Sequence, residues 1–303
     1  MLANLVHTHT NTIPLLARGF LECKKYISPT EVTWFLDTHL RARIGTRLIA
    51  EQHLALYFAS QEGSRESLPE NYIGVIDTTL QPARIINACE DFVGEMAELS
   101  YGVRPRLLIG GQTDASFAYI PMHVEYIITE LLKNSFRAVI ESGNEYEPIE
   151  ITIVAAPDVP GNHVWEFFDK PMNARSTKSD TDVGFLLHPI SNDGTASSPE
   201  SVRYPTPASQ SITIRIRDRG GGIPPEVLSH IWSYSFTTFT DDSDQSYALD
   251  DVYSATSGVH LAGLGYGLPL SRAYAEYFGG GVAVQSFPGW GTDTYVTLQG
   301  VVW

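Results

Sequence analysis

The chain has 303 residues, 43% of them hydrophobic, and sets 20 Lys and Arg against 35 Asp and Glu for a formal charge of −15. That length suits roughly two domains, and the acidic balance argues against an extended nucleic-acid surface, which needs clustered cations. Two cysteines, Cys23 and Cys89, are too few for a disulfide framework or a zinc knuckle, and no apolar run approaches the roughly 20 residues of a membrane-spanning helix.

The amino-terminal third reads as helical. Leu15, Leu16, Phe20 and Leu21 recur at helical spacing. Ser28-Pro29-Thr30-Glu31 opens a second helix, with Ser28 as cap and Pro29 in the first turn. Its apolar positions are expected to run through Trp34, Phe35, Leu40, Ile44, Leu48 and Ile49 towards Leu56. Pro82 opens a third helix carrying Ile85, Ile86, Phe92, Val93 and Met96. Long helices joined by short loops imply a bundle domain over 1–102. Its abrupt start at Met1 leads us to expect a bundle incomplete at its amino terminus. The first basic side chain other than histidine is Arg18, so the start reads as neither a signal peptide nor an Arg-rich transit segment.

From about 103 the period changes. Arg106 to Gly110 reads as a short strand, and a helix containing Glu130 follows Pro121. Ile149 to Val154 alternates, as do Ile212, Ile214 and Ile216, and Val282 to Gln285 and Thr292 to Leu298 give two more strands. Strands and helices mix without regular alternation. The expected fold class is therefore α+β, with a sandwich domain over 103–303 and helices on one face. Two polar stretches interrupt it. About 157–210 reads as a disordered surface insertion, and about 239–262, with its acidic run Asp241-Asp242-Ser-Asp244, reads as a lid because a glycine hinge follows it.

Three segments carry chemistry. In the first, Glu130 and Asn134 stand four apart and share one helix face. Asn is a poor mid-helix residue, because its amide competes for backbone hydrogen bonds. A magnesium ion would use such an amide oxygen beside phosphate oxygens, with Glu130 near enough to act as a base. An amphipathic helix with solvated polar residues gives the same pattern. In the second, Asp218-Arg-Gly-Gly-Gly-Ile-Pro224 follows a strand. Its glycines permit backbone angles and close approaches that other residues do not, and Asp218 could accept from an exocyclic amino group. An ordinary turn also uses Asp and Gly. In the third, Gly263-Leu-Gly-Tyr-Gly267 opens a helix ended by Gly279-Gly280. Peptide N–H groups at such a start bind phosphate, aided by the helix dipole. The spacing fits neither a dinucleotide fingerprint nor a Walker loop.

Glu-x-x-x-Asn, Asp-x-Gly-Gly-Gly and Gly-x-Gly-x-Gly, in that order, resemble the ATP site of the GHKL superfamily: gyrase-type ATPases, ninety-kilodalton heat-shock chaperones, histidine kinases and MutL. More specific is the similarity to the mitochondrial 2-oxo-acid dehydrogenase kinases, branched-chain and pyruvate types. Phe35-Leu-Asp37, Ile120-Pro-Met122, Glu130 through Ala138, Asp218 through Ile223, Phe236-Thr-Thr238, Gly267 through Tyr277 and Gly291-Thr-Asp293 carry it. Tyr126, four before Glu130, resembles the branched-chain member; pyruvate-type members usually have His there.

The resemblance implies a GHKL (Bergerat) domain and a protein serine kinase that inactivates the E1 alpha subunit of a 2-oxo-acid dehydrogenase complex. Glu130 would be the general base, with Lys133 an electrostatic aid. Asn134 would hold Mg2+, Arg137 would sit near the nucleotide, and Asp218 with Gly220 and Gly222 would read adenine. Thr237, Thr238, Gly263, Gly265, Tyr266, Gly267 and Leu268 would line the nucleotide. The carbonyls of Ile231, Ser233, Phe236 and Gly265 match a potassium site. ATP would be the co-substrate, and the lipoyl domain of the E2 core and a second copy of the chain would be partners. The implied location is the mitochondrial matrix. Two rivals remain: a histidine-kinase-type phosphotransferase using His53, and an ATP-binding scaffold or pseudo-kinase.

Overall fold

The computed structural model describes residues 2–23, 25–61, 71–156, 210–234, 236 and 265–301, all within the unit made of 1–157 and 209–303. Three helices come first: α1 (Leu2–Thr8), α2 (Thr12–Cys23) and α3 (Pro29–Ala59). The start of α3 is set by its sequence. Ser28 Oγ accepts from the Glu31 N–H at 3.3 Å, and Glu31 returns by accepting from the Ser28 N–H at 3.1 Å, a reciprocal cap that satisfies two donors the helix leaves open.

Two short strands follow, β1 (Tyr72–Ile73) and β2 (Ile76–Leu80), where the sequence reading had only helix. They are too short and too mixed in polarity for a period to show. Gly74, at φ +65°, makes their turn. Then come α4 (Pro82–Tyr101), β3 (Leu107–Gly111), β4 (Phe117–Tyr119), α5 (Pro121–Glu141) and β5 (Ile149–Ala155). After the undescribed segment come β6 (Ser211–Arg217), α6 (Pro225–Leu228), α7 (Gly267–Tyr277), β7 (Gly281–Phe287) and β8 (Gly291–Gln299).

Five strands form one sheet in the order β3-β5-β6-β8-β7, parallel only between β3 and β5. Alternation decides which side is buried. Ile149, Ile151 and Ile153 meet Ile212, Ile214 and Ile216, with Val296 and Leu298 beyond, all essentially solvent-free. Helices α4 and α5 pack on that side, through Ile86, Cys89 and Val93 and through Ile127, Ile128 and Leu131. The expected α+β sandwich with helices on one face is what forms. The helix from Pro82 shares the sheet's core, because its apolar stripe lies against α5.

A second core joins α2 and α3 to α7. Val32, Leu36, Leu40 and Ile44 of α3 bury against Ile13, Ala17, Tyr266, Leu270 and Ala273. These α3 positions repeat every four residues, one face of a helix. Trp34, Ile49 and Leu56, expected among the buried positions, are 72%, 69% and 45% exposed. The packing chose the 32–36–40–44 face, and each Leu or Ile buried there contributes about 1.5–3 kcal/mol. Helix α7 touches both cores: Ala275 belongs to the first, Leu270 and Ala273 to the second. Among the described residues, no helix is long and apolar enough to cross a membrane.

Candidate active site

One cleft of about 610 Å³ receives all three segments that the sequence singled out. Helix α5 supplies Glu130, Lys133, Asn134 and Arg137; the loop after β6 supplies Asp218, Gly220 and Gly222; the start of α7 supplies Gly265, Gly267 and Leu268. The volume lies within the range of small-molecule sites, roughly 300–1,000 Å³. Ile231 and Phe236 also line it.

On α5, Glu130 is buried, with a 5% exposed side chain, and Lys133 Nζ pairs with its Oε1 at 3.1 Å. A carboxylate with so little water needs such a partner. Gly267 lies against the same carboxylate, and a Cβ there would overlap Glu130 Oε2. Asn134, one turn along, is exposed and lines the cleft. Arg137 Nε bonds Glu141 Oε1 at 3.0 Å, an i,i+4 pair along the helix.

Asp218 is handled differently. Its Oδ1 accepts from the N–H groups of Gly220 at 2.9 Å and Thr292 at 3.2 Å, and Ser135 Oγ lies 3.5 Å from its Oδ2. Burial raises the Asp218 carboxyl above the ordinary aspartate range, against the lowering effect of these donors. Gly220 packs on Ala138 of α5, and Gly222, at φ +79°, on the backbone of Phe287 and Pro288. Neither has room for a side chain, so both glycines are required by contact, and Gly222 by its angle as well.

The start of α7 offers the N–H groups of Gly267 and Leu268, which the helix itself does not satisfy, while Pro269 has none. Tyr266 was expected at the nucleotide. The structure instead buries it completely, its ring 5.4 Å from that of Tyr234 in the core against α3. The glycine segment thus presents Gly265 and Gly267 to the cleft and turns its tyrosine away. Of the four residues expected at a potassium site, Ile231, Phe236 and Gly265 line the cleft, with the Phe236 backbone against Gly265. Ser233 is not in the lining, and its carbonyl accepts from the Phe236 N–H at 3.3 Å. Thr237, Thr238, Gly263 and the expected lid at about 239–262 lie outside the described residues, as does nearly all of the insertion at about 157–210.

The residues present suit an adenine nucleotide. One oxygen of Asp218, a residue of the cleft lining, accepts from two backbone donors, while the other lies 3.5 Å from the Ser135 hydroxyl. Side-chain-free glycines border the loop, and open N–H groups mark the other end. For a magnesium ion the donor chemistry also fits. No group of three or more His, Cys, Asp or Glu converges among the described residues. An ion beside the Asn134 amide would thus complete its shell with phosphate oxygens and water, as magnesium does.

Sequence reasoning assigned no role to Thr292, Thr294 or Ser135, although all three line the cleft. A signal was present for two of them. Thr292 and Thr294 stand two apart on β8, on the side facing the helices, directly after Gly291, whose missing Cβ admits the Asp218 carbonyl. His53, the candidate phospho-acceptor, is exposed on α3 and is not in the lining.

The chain is similar to known proteins. Residues 1–77 match the sequence family described as mitochondrial branched-chain alpha-ketoacid dehydrogenase kinase. Residues 192–301 match the histidine kinase-, DNA gyrase B- and HSP90-like ATPase family. A mitochondrial pyruvate dehydrogenase (acetyl-transferring) kinase 1 of Saccharomyces cerevisiae is 30% identical over 298 residues, covering 98% of this chain and 61% of the yeast protein. The mitochondrial pyruvate dehydrogenase (acetyl-transferring) kinase of Arabidopsis thaliana is 28% identical, with 96% and 64% covered. Human isozyme 4 is 26% identical, with 96% and 58% covered. The chain thus spans about three-fifths of the length of these relatives.

Proposed function

We propose that the chain is a 2-oxo-acid dehydrogenase kinase of the GHKL superfamily, an ATP-dependent protein serine kinase acting on the E1 alpha subunit of such a complex. One observation carries the reading: Glu130 and Asn134, Asp218 with its glycines, and the α7 start line a single cleft. Residues 1–102 are the helical part in this proposal and 103–303 the ATP-binding part, with α4 as the helix by which the first enters the core of the second.

Glu130 accepts the proton of the substrate serine hydroxyl as it attacks the γ-phosphoryl group. The Lys133 ammonium, 3.1 Å from Glu130, orients the carboxylate for that task and adds positive charge beside the transferring phosphoryl. Asp218 Oδ2 accepts from the adenine amino group, and the N–H groups of Gly267 and Leu268 receive phosphate oxygens at a positive helix end. Arg137 flanks the same nucleotide. When bound at Asn134, magnesium neutralises phosphate charge. Catalysis here is positioning and charge neutralisation, without a covalent enzyme intermediate. Thr237, Thr238 and Gly263 complete the nucleotide contacts in this proposal, and 239–262 closes over them to exclude water. A potassium ion on the carbonyls of Ile231, Ser233, Phe236 and Gly265 is part of the same reading. So are an E2 lipoyl-domain partner, a homodimer and a mitochondrial matrix location; for the last, the relatives are named mitochondrial.

The test is labelled ATP with purified pyruvate and branched-chain dehydrogenase E1, side by side. Acid-stable label on the E1 alpha serine of either complex is the expected result. Acid-labile label on this chain would instead establish a phosphohistidine, and nucleotide binding with no transfer would establish a scaffold.

A further inference from the structure

The loop from Asp218 to Ile223 is tied down at every residue, mostly by the β7–β8 hairpin. The Asp218 N–H donates to the Thr292 carbonyl at 3.0 Å and Thr292 N–H returns to Asp218 Oδ1 at 3.2 Å. Arg219 is held twice: its carbonyl accepts from Asn144 Nδ2 at 2.8 Å, and its guanidinium lies 3.6 Å from the Trp290 ring centroid. Gly220 N–H donates to Asp218 Oδ1, and the Gly221 carbonyl accepts from the Gly289 N–H at 2.7 Å. Gly222 abuts the backbone of Phe287. Ile223 N–H donates to Ser286 Oγ at 2.6 Å, and that hydroxyl donates back to the Ile223 carbonyl at 3.2 Å.

Three of these ties are backbone to backbone: Asp218 to Thr292, Gly221 to Gly289 and Gly222 to Phe287. From the hairpin only two are made by side chains: the Ser286 hydroxyl, which serves as acceptor and donor at once, and the Trp290 ring. Neither residue lines the cleft, so neither touches a nucleotide there. Arg217, the other guanidinium near Trp290 at 5.2 Å, is already fixed by a two-pronged pair to Asp293 at 2.6 and 2.7 Å. The ring's close contact is therefore with Arg219, the residue next to Asp218.

We propose that Ser286 and Trp290 are positioning residues that hold the Asp218 carboxylate in place and thereby set the preference for adenine over guanine nucleotides. This rests on the nucleotide-binding reading above. Adenine presents a donor at C6 where guanine presents an acceptor. A fixed carboxylate oxygen bonds the first and repels the second, whereas a carboxylate free to swing relieves the repulsion and weakens the bond. Discrimination of this kind depends on pre-arranged geometry, and the hairpin is what arranges it.

The experiment is calorimetric titration of ADP and of GDP, each with magnesium, into the chain and into Ser286→Ala, Ser286→Thr, Trp290→Ala and Trp290→Phe, with melting temperatures alongside. Loss of the Ser286 bonds should weaken ADP about five- to tenfold and lower the ADP-to-GDP preference by a similar factor, with threonine restoring both. Trp290→Ala should lower the preference roughly two- to fivefold and phenylalanine should keep most of it. A lower melting temperature with an unchanged preference overturns the proposal and leaves nucleotide binding standing. A parent chain that binds neither nucleotide overturns both. Should Ser286→Ala fail to fold, the Trp290 pair and the threonine variant decide the matter by the same ratio.

Discussion

The two ends of the cleft each hold a buried acid, and they hold it by opposite means. At one end Glu130 faces a cation, Lys133 at 3.1 Å, on a helix whose apolar stripe is locked in the core. At the other end Asp218 is surrounded by neutral donors, two backbone N–H groups and the more distant Ser135 hydroxyl, on a loop fixed by a neighbouring hairpin. A cation stabilises the ionised acid yet leaves its lone pairs partly free, which suits a group that must take up a proton. Backbone donors fix direction, which suits a group that must read one. In the proposed function the difference is one of job: proton transfer at the first acid, recognition at the second.

Replacing each acid should separate these jobs, and the largest effect belongs to the first. Glu130→Gln should lower phosphoryl transfer to E1 by about 10²–10⁴-fold and leave ADP affinity within a factor of about two; full activity in that variant would end the base assignment. At the opposite end, Asp218→Ala should weaken ADP by about 10–100-fold, the range for a hydrogen bond to a charged group, as calorimetry would show. Gly267→Ala probes the first end from the other wall of the cleft. A methyl overlapping the Glu130 carboxylate should displace it at a cost of about 1–3 kcal/mol, read as slower transfer with the ADP-to-GDP preference intact. A changed preference would mean that the two ends are not separable.

The smallest effect is on pH. Burial raises the folded-state pKa of Asp218 above its unfolded value. Between those two values the folded chain keeps a proton that the unfolded chain has released, so ionising this group costs stability as pH rises through the window. Asp218→Asn should therefore melt higher than the parent at neutral pH, with the gap closing in acid below the carboxylate range. Thermal melts at several pH values check it; a gap that persists in acid would assign the gain to packing instead.

Much of this architecture was legible because it is local. The Ser28–Glu31 cap, the α5 stripe of Ile127, Ile128, Leu131 and Leu132, and the Ile212–Ile214–Ile216 alternation are all written within a few residues, and the structure realises each. What was not legible is non-local. Strands at 72–73 and 76–80 are too short to show a period. The exposure of Trp34 and Ile49 depends on which face α7 meets. The inward turn of Tyr266 depends on a pocket built by α3, more than 200 residues away in sequence.

By itself, then, the sequence determined the helices, the alternating strands and the three polar–glycine segments, since hydrophobic period, caps and glycine angles act over a turn or two of chain. Only tertiary packing decided that those segments would share one cleft, that Asp218 would lean on Thr292 and Ser286 would brace its loop, and that Tyr266 would face the core. Such choices follow from long-range burial and from hydrogen bonds across strands, which no local window of residues contains.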